Sequence, residues 1–397
     1  MNENIKRKQS YLKKTLVISE IVPPMVQGPA IMLSNLLKEF PEGSYCLLTK
    51  EINWRGKLDE SSRLPCTYYY VDRAYSPYKT KLHRLLSQIL EQLWIFKIVF
   101  KGLQIVRREH INNIIAFNNE GDLLIAAYIL HKLTKRPLFL YMLDVYEEMM
   151  RVRIRKIMAS MFEERIFKAA KKIFVMSENL QAHYLNKYNL HTEFMPHPVV
   201  LSNYQGQVKE DKKDDCKTII YTGNVWIPQI ESLVDMCRVV ELMKGIKFIV
   251  YTDRSAEELK QRGICGKNVL VRFAVHSQIS EIQRNADILY LPLAFNTPFP
   301  LMIKTASPGK MPEYLAAGRP ILIYAPEYSY IAQHARKYGF GFVVDKQSED
   351  ELKKGLMALL NDDKLRNSYI VKAKKLSKDH DANALSKKLW TSLICES

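Results

Sequence analysis

Short apolar runs of strand length alternate with amphipathic stretches in the first half of the chain. A strand at Thr15–Ser19, the Pro/Gly loop Val22–Pro29 and an amphipathic helix at Ala30–Phe40 are typical of the opening of a doubly wound α/β domain. The alternation then predicts strands at Tyr45–Thr49, Cys66–Val71, Ile114–Phe117, Leu138–Leu143 and Lys172–Met176, and helices at Lys79–His110, Glu120–Leu133, Arg151–Ala170 and Glu178–Tyr188.

Residues 201–217 are polar and charged without an apolar period, and the alternation restarts after them. Strands joined by helices form parallel sheets through right-handed crossovers, and ligands bind beyond the carboxyl ends of such strands. We therefore expect two Rossmann-like doubly wound domains facing a cleft. The second half is predicted to contain strands at Thr218–Tyr221, Lys247–Tyr251, Val269–Phe273, Ile288–Leu291, Pro320–Tyr324 and Gly341–Val344, and helices at Ile230–Met243, Ala256–Arg262, Ser277–Asn285, Tyr328–Tyr338, Glu349–Asn361 and about Lys364–Leu393.

The predicted domain organisation has five parts. They are a disordered basic arm at 1–14, a Rossmann-like domain at 15–200, a linker at 201–217, a second Rossmann-like domain at 218–375, and a C-terminal helix at 376–397 that crosses back to the first domain.

The stretch Lys304–Tyr324 is predicted to form a loop, a short helix, a tight turn and a buried strand. Gly318 suits the left-handed position just past a helix end. The helix starts near Met311, or at Ser307 with a distorted first turn, because Pro312 is tolerated only in a first turn.

Lys310 and Glu313 lie at the N-terminus of this predicted helix. Backbone N–H groups at a helix N-terminus attract anions, so a lysine there suits phosphate and a carboxylate suits sugar hydroxyls. A surface helix with a solvated lysine and glutamate fits the same local pattern.

Composition narrows the class of protein. The 397 residues are 47% hydrophobic and 25% charged, which is ordinary for a globular protein, but the net charge of +17 indicates acidic partners such as phosphorylated substrates, nucleic acid or anionic lipid. The six cysteines are scattered without a Cys-x-x-Cys pair, which favours reduced thiols. We see no signal peptide and no apolar span of about 18 residues, so a cytoplasmic location is expected.

Three motifs in the second half carry a family resemblance. They are YTGN at Tyr221–Asn224, the segment from Ser280-Glu281-Ile282 to ADILYLP at Ala286–Pro292, and SPGKMPEYLAAGRP at Ser307–Pro320. Together they resemble a GT-B-type glycosyltransferase, most like glycosyltransferase family 4. A looser match in the first half covers Val22–Pro29, Asp144, Ser177-Glu178 and Pro196-x-Pro198-Val199.

The resemblance implies that the second domain binds a nucleotide sugar and that the first faces the acceptor. Glu313 would hold the ribose hydroxyls, Lys310 and the Thr222–Asn224 turn would lie near the diphosphate, and backbone groups of Phe273–Val275 would read the base edge. Asp144 would face the transferred sugar or the acceptor as the catalytic carboxylate, and no metal is expected. The residues expected to bind the donor are Gly28, Thr222, Gly223, Asn224, Val275, Lys304, Ser307, Lys310 and Glu313.

The sequence departs from the family pattern at several positions. Thr305 stands where the first of two glutamates is usual, and Val225–Gln229 replaces the usual Arg and Lys after the YTG turn. A non-catalytic subunit that stabilises a partner transferase is therefore an alternative to a hexosyltransferase. For the enzyme, the resemblance favours retention and bacterial surface polysaccharide synthesis, with a glycan or lipid-linked acceptor at the inner membrane face.

Other features have competing interpretations. The basic helices at 79–110 and 151–172 suit either an anionic membrane surface or a solvated face of a packed helix. Tyr68–Tyr70, Tyr75 and Tyr78 suit sugar stacking or a strand core. Asp379-His380-Asp381 suits a helix cap rather than a metal site, and Asp144 is also a potential helix N-cap. Binding to nucleic acid and a GT-B-fold sugar epimerase are the weaker functional alternatives.

Overall fold

The computed structural model describes residues 13–50, 58–72, 81–118, 122–147, 150, 153–206 and 216–395. Within these ranges, only the backbone is described at 81–92, 122, 153 and 154. Most of the predicted basic arm and of the 201–217 linker, together with Tyr75 and Tyr78, lie outside the described residues.

The chain divides into two compact units. The first comprises Met1–Met195 together with Asn383–Ser397, and the second comprises Pro196–Ala382. The C-terminal segment joins the first unit because its leucines enter that unit's core, and because the Asn113 side-chain amide donates a hydrogen bond of 2.9 Å to the Leu393 carbonyl.

A seven-stranded parallel sheet forms the centre of the first unit, in the order β3-β2-β1-β4-β5-β6-β7. Its strands are built from the apolar runs of the sequence, and side chains such as Val17, Ile115 and Phe139 are fully buried. The strands are β1 Thr15–Ile18, β2 Tyr45–Lys50, β3 Thr67–Val71, β4 Asn113–Phe117, β5 Leu138–Met142, β6 Lys172–Val175 and β7 Glu193–Phe194.

The first unit contains six α-helices among the residues that the structure describes. The two predicted basic helices are present, as α2 and α4, and α3 packs against both. The helices are α1 Gly28–Leu37, α2 Lys81–Arg108, α3 Asp122–Thr134, α4 Arg153–Ala169, α5 Glu178–Tyr188 and the C-terminal α14 Ala382–Cys395.

The second unit has a six-stranded parallel sheet in the order β10-β9-β8-β11-β12-β13. Successive residues of a strand point to opposite faces, so Ile219 and Tyr221 of β8 enter one apolar cluster and Ile220 enters another. Both faces of the sheet are thereby covered, as parallel sheets require. The strands are β8 Lys217–Thr222, β9 Ile246–Tyr251, β10 Val269–Arg272, β11 Ile288–Pro292, β12 Ile321–Tyr324 and β13 Phe342–Val344.

Helices cover both faces of the second sheet. One apolar cluster contains α6 and α12 side chains, and the other contains α10 and α11 side chains. The helices are α6 Ile227–Glu241, α7 Ala256–Gln261, α8 His276–Arg284, α9 Pro300–Thr305, α10 Lys310–Ala317, α11 Tyr330–Tyr338, α12 Glu349–Asn361 and α13 Asp363–Ser377.

The predicted fold class of two doubly wound Rossmann-like domains is confirmed, and the residues predicted as helical over about Lys364–Leu393 form two helices, α13 and α14. A 3₁₀ turn at Lys378–His380 separates α13 from α14. The break has a tertiary cause: the Val199 N–H donates to the His380 carbonyl at 2.8 Å, and the Ala382 N–H donates to the Val199 carbonyl at 2.9 Å.

No helix in the described ranges combines the length and the apolar character needed to cross a membrane.

Candidate functional site

The turn that follows β8 has a backbone conformation suited to glycine. Gly223 has a φ of +114°, and its N–H donates a hydrogen bond of 2.9 Å to the Tyr251 carbonyl at the end of the neighbouring strand β9. A Cβ atom on Gly223 would lie 3.2 Å from Cε of Lys310. The Thr222–Asn224 turn and Lys310 therefore lie close together.

Lys310 is the first residue of α10 and reaches back onto β8. Its Nζ donates a hydrogen bond of 2.7 Å to the Tyr221 hydroxyl and lies 3.9 Å from the centroid of the tyrosine ring. Burial lowers the pKa of Lys310 to about 7, against a smaller opposing effect of the Glu313 carboxylate. The lysine thus has a fixed position and a charge that an arriving anion would reinforce.

Glu313 lies in the first turn of α10 and is tied to the β8 turn through a buried glutamine. Nε2 of Gln283, on α8, donates to Glu313 Oε2 and to Thr222 Oγ1, at 2.9 Å in each case. The Thr222 N–H donates to the Tyr314 hydroxyl at 2.9 Å. Three segments that are far apart in sequence, at Thr222, Gln283 and Glu313-Tyr314, are therefore assembled beside the carboxyl end of β8.

Two further predicted donor residues lie shortly before α10. Lys304 is exposed in the last turn of α9, and Ser307 is buried in the loop that follows. Within the described part of the chain, Ser307 Oγ has no hydrogen-bond partner, which leaves a polar atom for a ligand. The Thr305 hydroxyl donates to the Leu301 carbonyl at 2.9 Å within α9, so the residue that replaces the expected glutamate bonds to its own helix.

His197 packs against this loop. Its ring forms a hydrogen bond with the Ser307 backbone, and its Cε1 lies 3.7 Å from where a Cβ of Gly309 would be. Burial, reinforced by His380, lowers the pKa of His197 to about 3, so the imidazole is neutral at physiological pH. His197 therefore has a packing role beside the donor loop.

Val275 occupies the residue before α8, with its side chain 49% exposed. Its N–H donates to Gln278 Oε1 at 3.4 Å, so one of the backbone groups expected to read a base is already engaged with its own helix. The other end of α8 contains Gln283, and this helix therefore links the predicted base loop to Glu313.

Arg254 is a candidate that the sequence reasoning missed. It follows β9, next to the β8 turn, and its Nε lies 3.4 Å from Asn224 Oδ1, while its Nη1 lies 3.2 Å from Glu258 Oε1. The sequence signal that could have identified Arg254 is its position shortly after strand β9. This strand is the neighbour of β8, which the Thr222–Asn224 turn follows. Arg254 supplies a cation beside the turn, where the family's usual Arg and Lys are absent.

The two remaining predicted residues, Gly28 and Asp144, belong to the first unit. A Cβ on Gly28, at the start of α1, would meet no atom within 4 Å. Asp144 follows β5 at the carboxyl edge of the sheet, and its carbonyl accepts a 2.8 Å hydrogen bond from the Asn118 side-chain amide. Residues 145–147, which follow Asp144 directly, are not helical, so the interpretation of Asp144 as a helix N-cap is wrong.

An ion pair with a buried carboxylate at the same edge of the first sheet was also missed. Glu20, which is 1% exposed, follows β1 and pairs with Lys50 at the end of the adjacent strand β2. With Asn118 after β4 and Asp144 after β5, polar side chains follow four adjacent strands. This row marks the candidate site of the first unit.

The residues that the structure describes contain no group of three or more His, Cys, Asp or Glu side chains that could hold a metal ion.

Comparisons with known proteins agree with the geometry of the second unit. Residues 216–362 match the family model described as glycosyl transferases group 1. No curated protein matches the chain.

Solved structures match nearly the whole chain, at low sequence identity. Anabaena HepE in complex with UDP and glucose has a TM-score of 0.67 and 13% identity, with coverage of 96% of this chain and 99% of that one. Sucrose-phosphate synthase from Thermosynechococcus elongatus has a TM-score of 0.68 and 13% identity, covering 97% and 100%. A glycosyltransferase from Rickettsia africae has a TM-score of 0.65 and 13% identity, covering 98% and 100%. These similarities establish the GT-B fold.

Proposed function

We propose that this glycosyltransferase of the GT-B fold transfers a hexose from a nucleoside-diphosphate sugar, which its second unit binds. The observation that carries the proposal is the assembly of the Thr222–Asn224 turn, Lys310 and Glu313 around one strand end. The family match over residues 216–362 and the UDP complex of Anabaena HepE support the choice of ligand class.

The residue types suit the chemistry of glycosyl transfer. Breaking the bond to a diphosphate leaves negative charge on the leaving group, and cations and N–H donors fixed beside it stabilise that charge. Lys310 would supply one such cation beside the Thr222–Asn224 turn, and Arg254 adds a second. A carboxylate can assist as a base or electrostatically, and we assign this role to Asp144. Protein cations take the role of a metal in this scheme, so we expect activity without added metal.

Nucleotide binding is the first test. Thermal shift with UDP, GDP and ADP should identify one nucleotide that raises the melting temperature, because a ligand at about 100 times its Kd stabilises the folded state by about 2.7 kcal/mol. Glu313→Ala should abolish the shift. Glu281→Ala, on the exposed side of α8, is the matched control and should preserve it. If none of the three nucleotides shifts the wild-type protein, the donor assignment fails.

For the acceptor we propose a glycan or a lipid-linked sugar at an anionic membrane surface on the cytoplasmic side, with retention and a role in surface polysaccharide synthesis. On α2, Leu93, Phe96 and Phe100 are 52%, 63% and 65% exposed, next to the exposed Lys97. Exposed apolar side chains beside basic ones are the pattern that interfacial helices use. α4 repeats this pattern with the exposed apolar side chains Ile157 and Met161 and the exposed basic side chains Lys156, Arg165 and Lys168.

Co-sedimentation with vesicles tests the membrane proposal. The protein should bind vesicles that contain phosphatidylglycerol, bind phosphatidylcholine vesicles less, and release at high salt. Replacing Phe96 and Phe100 with serine should reduce binding. Leu242→Ser is the control, because Leu242 is 70% exposed in the second unit. Equal binding by the double variant and the control would remove α2 from the membrane surface.

One observation favours a non-catalytic subunit as the second candidate. The expected first glutamate is Thr305, and its hydroxyl bonds within α9. A protein that binds UDP or another nucleotide but shows no release of nucleoside diphosphate from any nucleotide sugar, alone or with acceptor, would favour this alternative. Turnover that Asp144→Asn abolishes would exclude it.

A further inference from the structure

Gln283 is buried at the centre of the donor network. It lies on α8, is 0% exposed, and directs its amide away from solvent toward the strand end of β8. Nε2 lies 2.9 Å from both Glu313 Oε2 and Thr222 Oγ1, and Oε1 accepts a 2.7 Å hydrogen bond from the Tyr204 hydroxyl. Both amide hydrogens and the amide oxygen are therefore used.

Chemistry fixes the orientation of this amide. A carboxylate only accepts hydrogen bonds, so the nitrogen, and not the oxygen, must face Glu313. The Thr222 hydroxyl accepts from the same nitrogen and can donate onward to the Tyr314 hydroxyl, 3.3 Å away. A flipped amide would place its oxygen against the Glu313 carboxylate, and a buried mismatch of this kind is costly.

We propose that Gln283 is a positioning residue that holds the Glu313 carboxylate for the ribose and so makes the site selective for ribonucleotides. This inference rests on the proposed function. One carboxylate oxygen is held by the amide, and the other is available to accept from a ribose hydroxyl. A carboxylate that is already oriented loses less conformational freedom on binding than an untethered one.

Tyr204 belongs to the same hydrogen-bond network. It lies in the 3₁₀ turn Leu201–Tyr204 and belongs to the second unit, 79 positions before Gln283 in sequence. Its hydroxyl fixes the amide oxygen, so it acts on Glu313 only through Gln283. Tyr204→Phe should therefore reproduce the Gln283 effect in weaker form, without altering any group that touches the ligand.

The expected readout is the discrimination between ribose and deoxyribose. A hydrogen bond to a charged group corresponds to roughly tenfold or more in affinity, so the wild-type protein should bind the 2′-deoxy or the 3′-deoxy analogue of its preferred nucleoside diphosphate about tenfold more weakly. Gln283→Met keeps the length and apolar volume of the side chain but has no amide. In this variant the nucleoside diphosphate should bind about three- to tenfold more weakly, while the deoxy analogues change little, so discrimination falls.

Calorimetric titration of wild type, Gln283→Met, Tyr204→Phe and the control Gln181→Met tests the proposal. Gln181 is a glutamine of the first unit whose Nε2 donates to the Thr192 carbonyl at 2.7 Å. Its replacement therefore removes a side-chain amide hydrogen bond that does not involve Glu313. The control should keep the wild-type discrimination. If Gln283→Met does not fold, Tyr204→Phe alone should still lower the ratio of affinities for the ribonucleotide and its deoxy analogues.

Two outcomes separate the inference from the proposed function. If wild type binds none of UDP, GDP and ADP, the donor site itself is wrong and the inference fails with it. If wild type binds and prefers the ribonucleotide, but Gln283→Met and Tyr204→Phe leave that preference unchanged or weaken all ligands equally, the donor site stands and the positioning role is overturned.

Discussion

Replacing Lys310 with methionine should stabilise the fold and weaken ligand binding at the same time. Burial lowers the pKa of this lysine from the ordinary 10.5 to about 7, so the folded state disfavours the charged form. Methionine is unbranched and apolar and can fill the same space over the Tyr221 ring. The variant therefore removes a charge that destabilises the folded state. The same charge is needed to bind the proposed diphosphate.

The pH dependence follows from proton binding in the two states. Between about pH 7 and 10.5, the unfolded chain keeps a proton on Lys310 that the folded protein has released, so this group makes stability rise with pH. Below about pH 7 the lysine is charged in both states, and the folded state bears the full cost of burial. The gain in stability for Lys310→Met should therefore be largest at pH 6 and decline toward pH 10.

The magnitude is bounded by the pKa change. At 1.36 kcal/mol per pKa unit, a pKa of about 7 in place of 10.5 corresponds to at most about 5 kcal/mol. Lys310 is only half-buried, and the variant also loses the 2.7 Å hydrogen bond to the Tyr221 hydroxyl. We therefore expect a gain of about 1–3 kcal/mol in the free energy of unfolding at pH 6.

Urea unfolding at pH 6 and pH 9, with calorimetric titration of UDP or the preferred nucleotide, measures both effects. Binding should weaken roughly 10- to 100-fold, as expected for the loss of one charged hydrogen bond. Lys337→Met is the matched control, because Lys337 is an exposed lysine whose Nζ lies 4.9 Å from the Tyr338 ring centroid. A loss of stability at pH 6, or a gain that does not vary with pH, would refute the buried-charge argument. Unchanged affinity would remove Lys310 from the diphosphate site.

Three further substitutions test other parts of the account. Arg254→Ala should weaken UDP binding about tenfold in calorimetry. Arg262→Ala is the control, because Arg262 pairs with the same Glu258 carboxylate, and this variant should bind UDP like the wild type. Equal affinities of the two variants would exclude Arg254 as the second cation. Gly223→Ala should lower the free energy of unfolding by about 1–2 kcal/mol, because of its positive φ and the nearby lysine, whereas Gly28→Ala should be close to neutral in the same urea assay. Asp144→Asn should reduce turnover at least about a hundredfold with little change in nucleotide Kd, and a fall in affinity alone would argue for a binding role.

Local patterns were sufficient to predict the alternation of strands and helices and the turn at the end of α10. Gly318 has a φ of +70°, as predicted for the residue past a helix end. Helix α10 begins at Lys310, one residue before the expected Met311, and Pro312 lies in the first turn. These features depend on neighbours in sequence, so a single chain reveals them.

Contacts between segments that are distant in sequence could not be predicted from local patterns. Gln283 contacts Glu313 and Thr222 across 30 and 61 positions, so its role depends on how α8 packs beside α10. Arg254 reaches the β8 turn only because β9 pairs with β8. The cap motif Asp379-His380-Asp381 lies at the break between α13 and α14, but the two backbone hydrogen bonds that tie this break to Val199 join segments that are distant in sequence.

The central claim is that the second unit holds a nucleoside diphosphate at the carboxyl end of β8. A crystal structure with UDP, or with the nucleotide that gives the largest thermal shift, tests it most directly. We predict ribose hydroxyls within hydrogen-bond distance of the Glu313 carboxylate, and the diphosphate between the Thr222–Asn224 turn and Lys310. A nucleotide bound elsewhere, or one whose ribose lies away from Glu313, would contradict it.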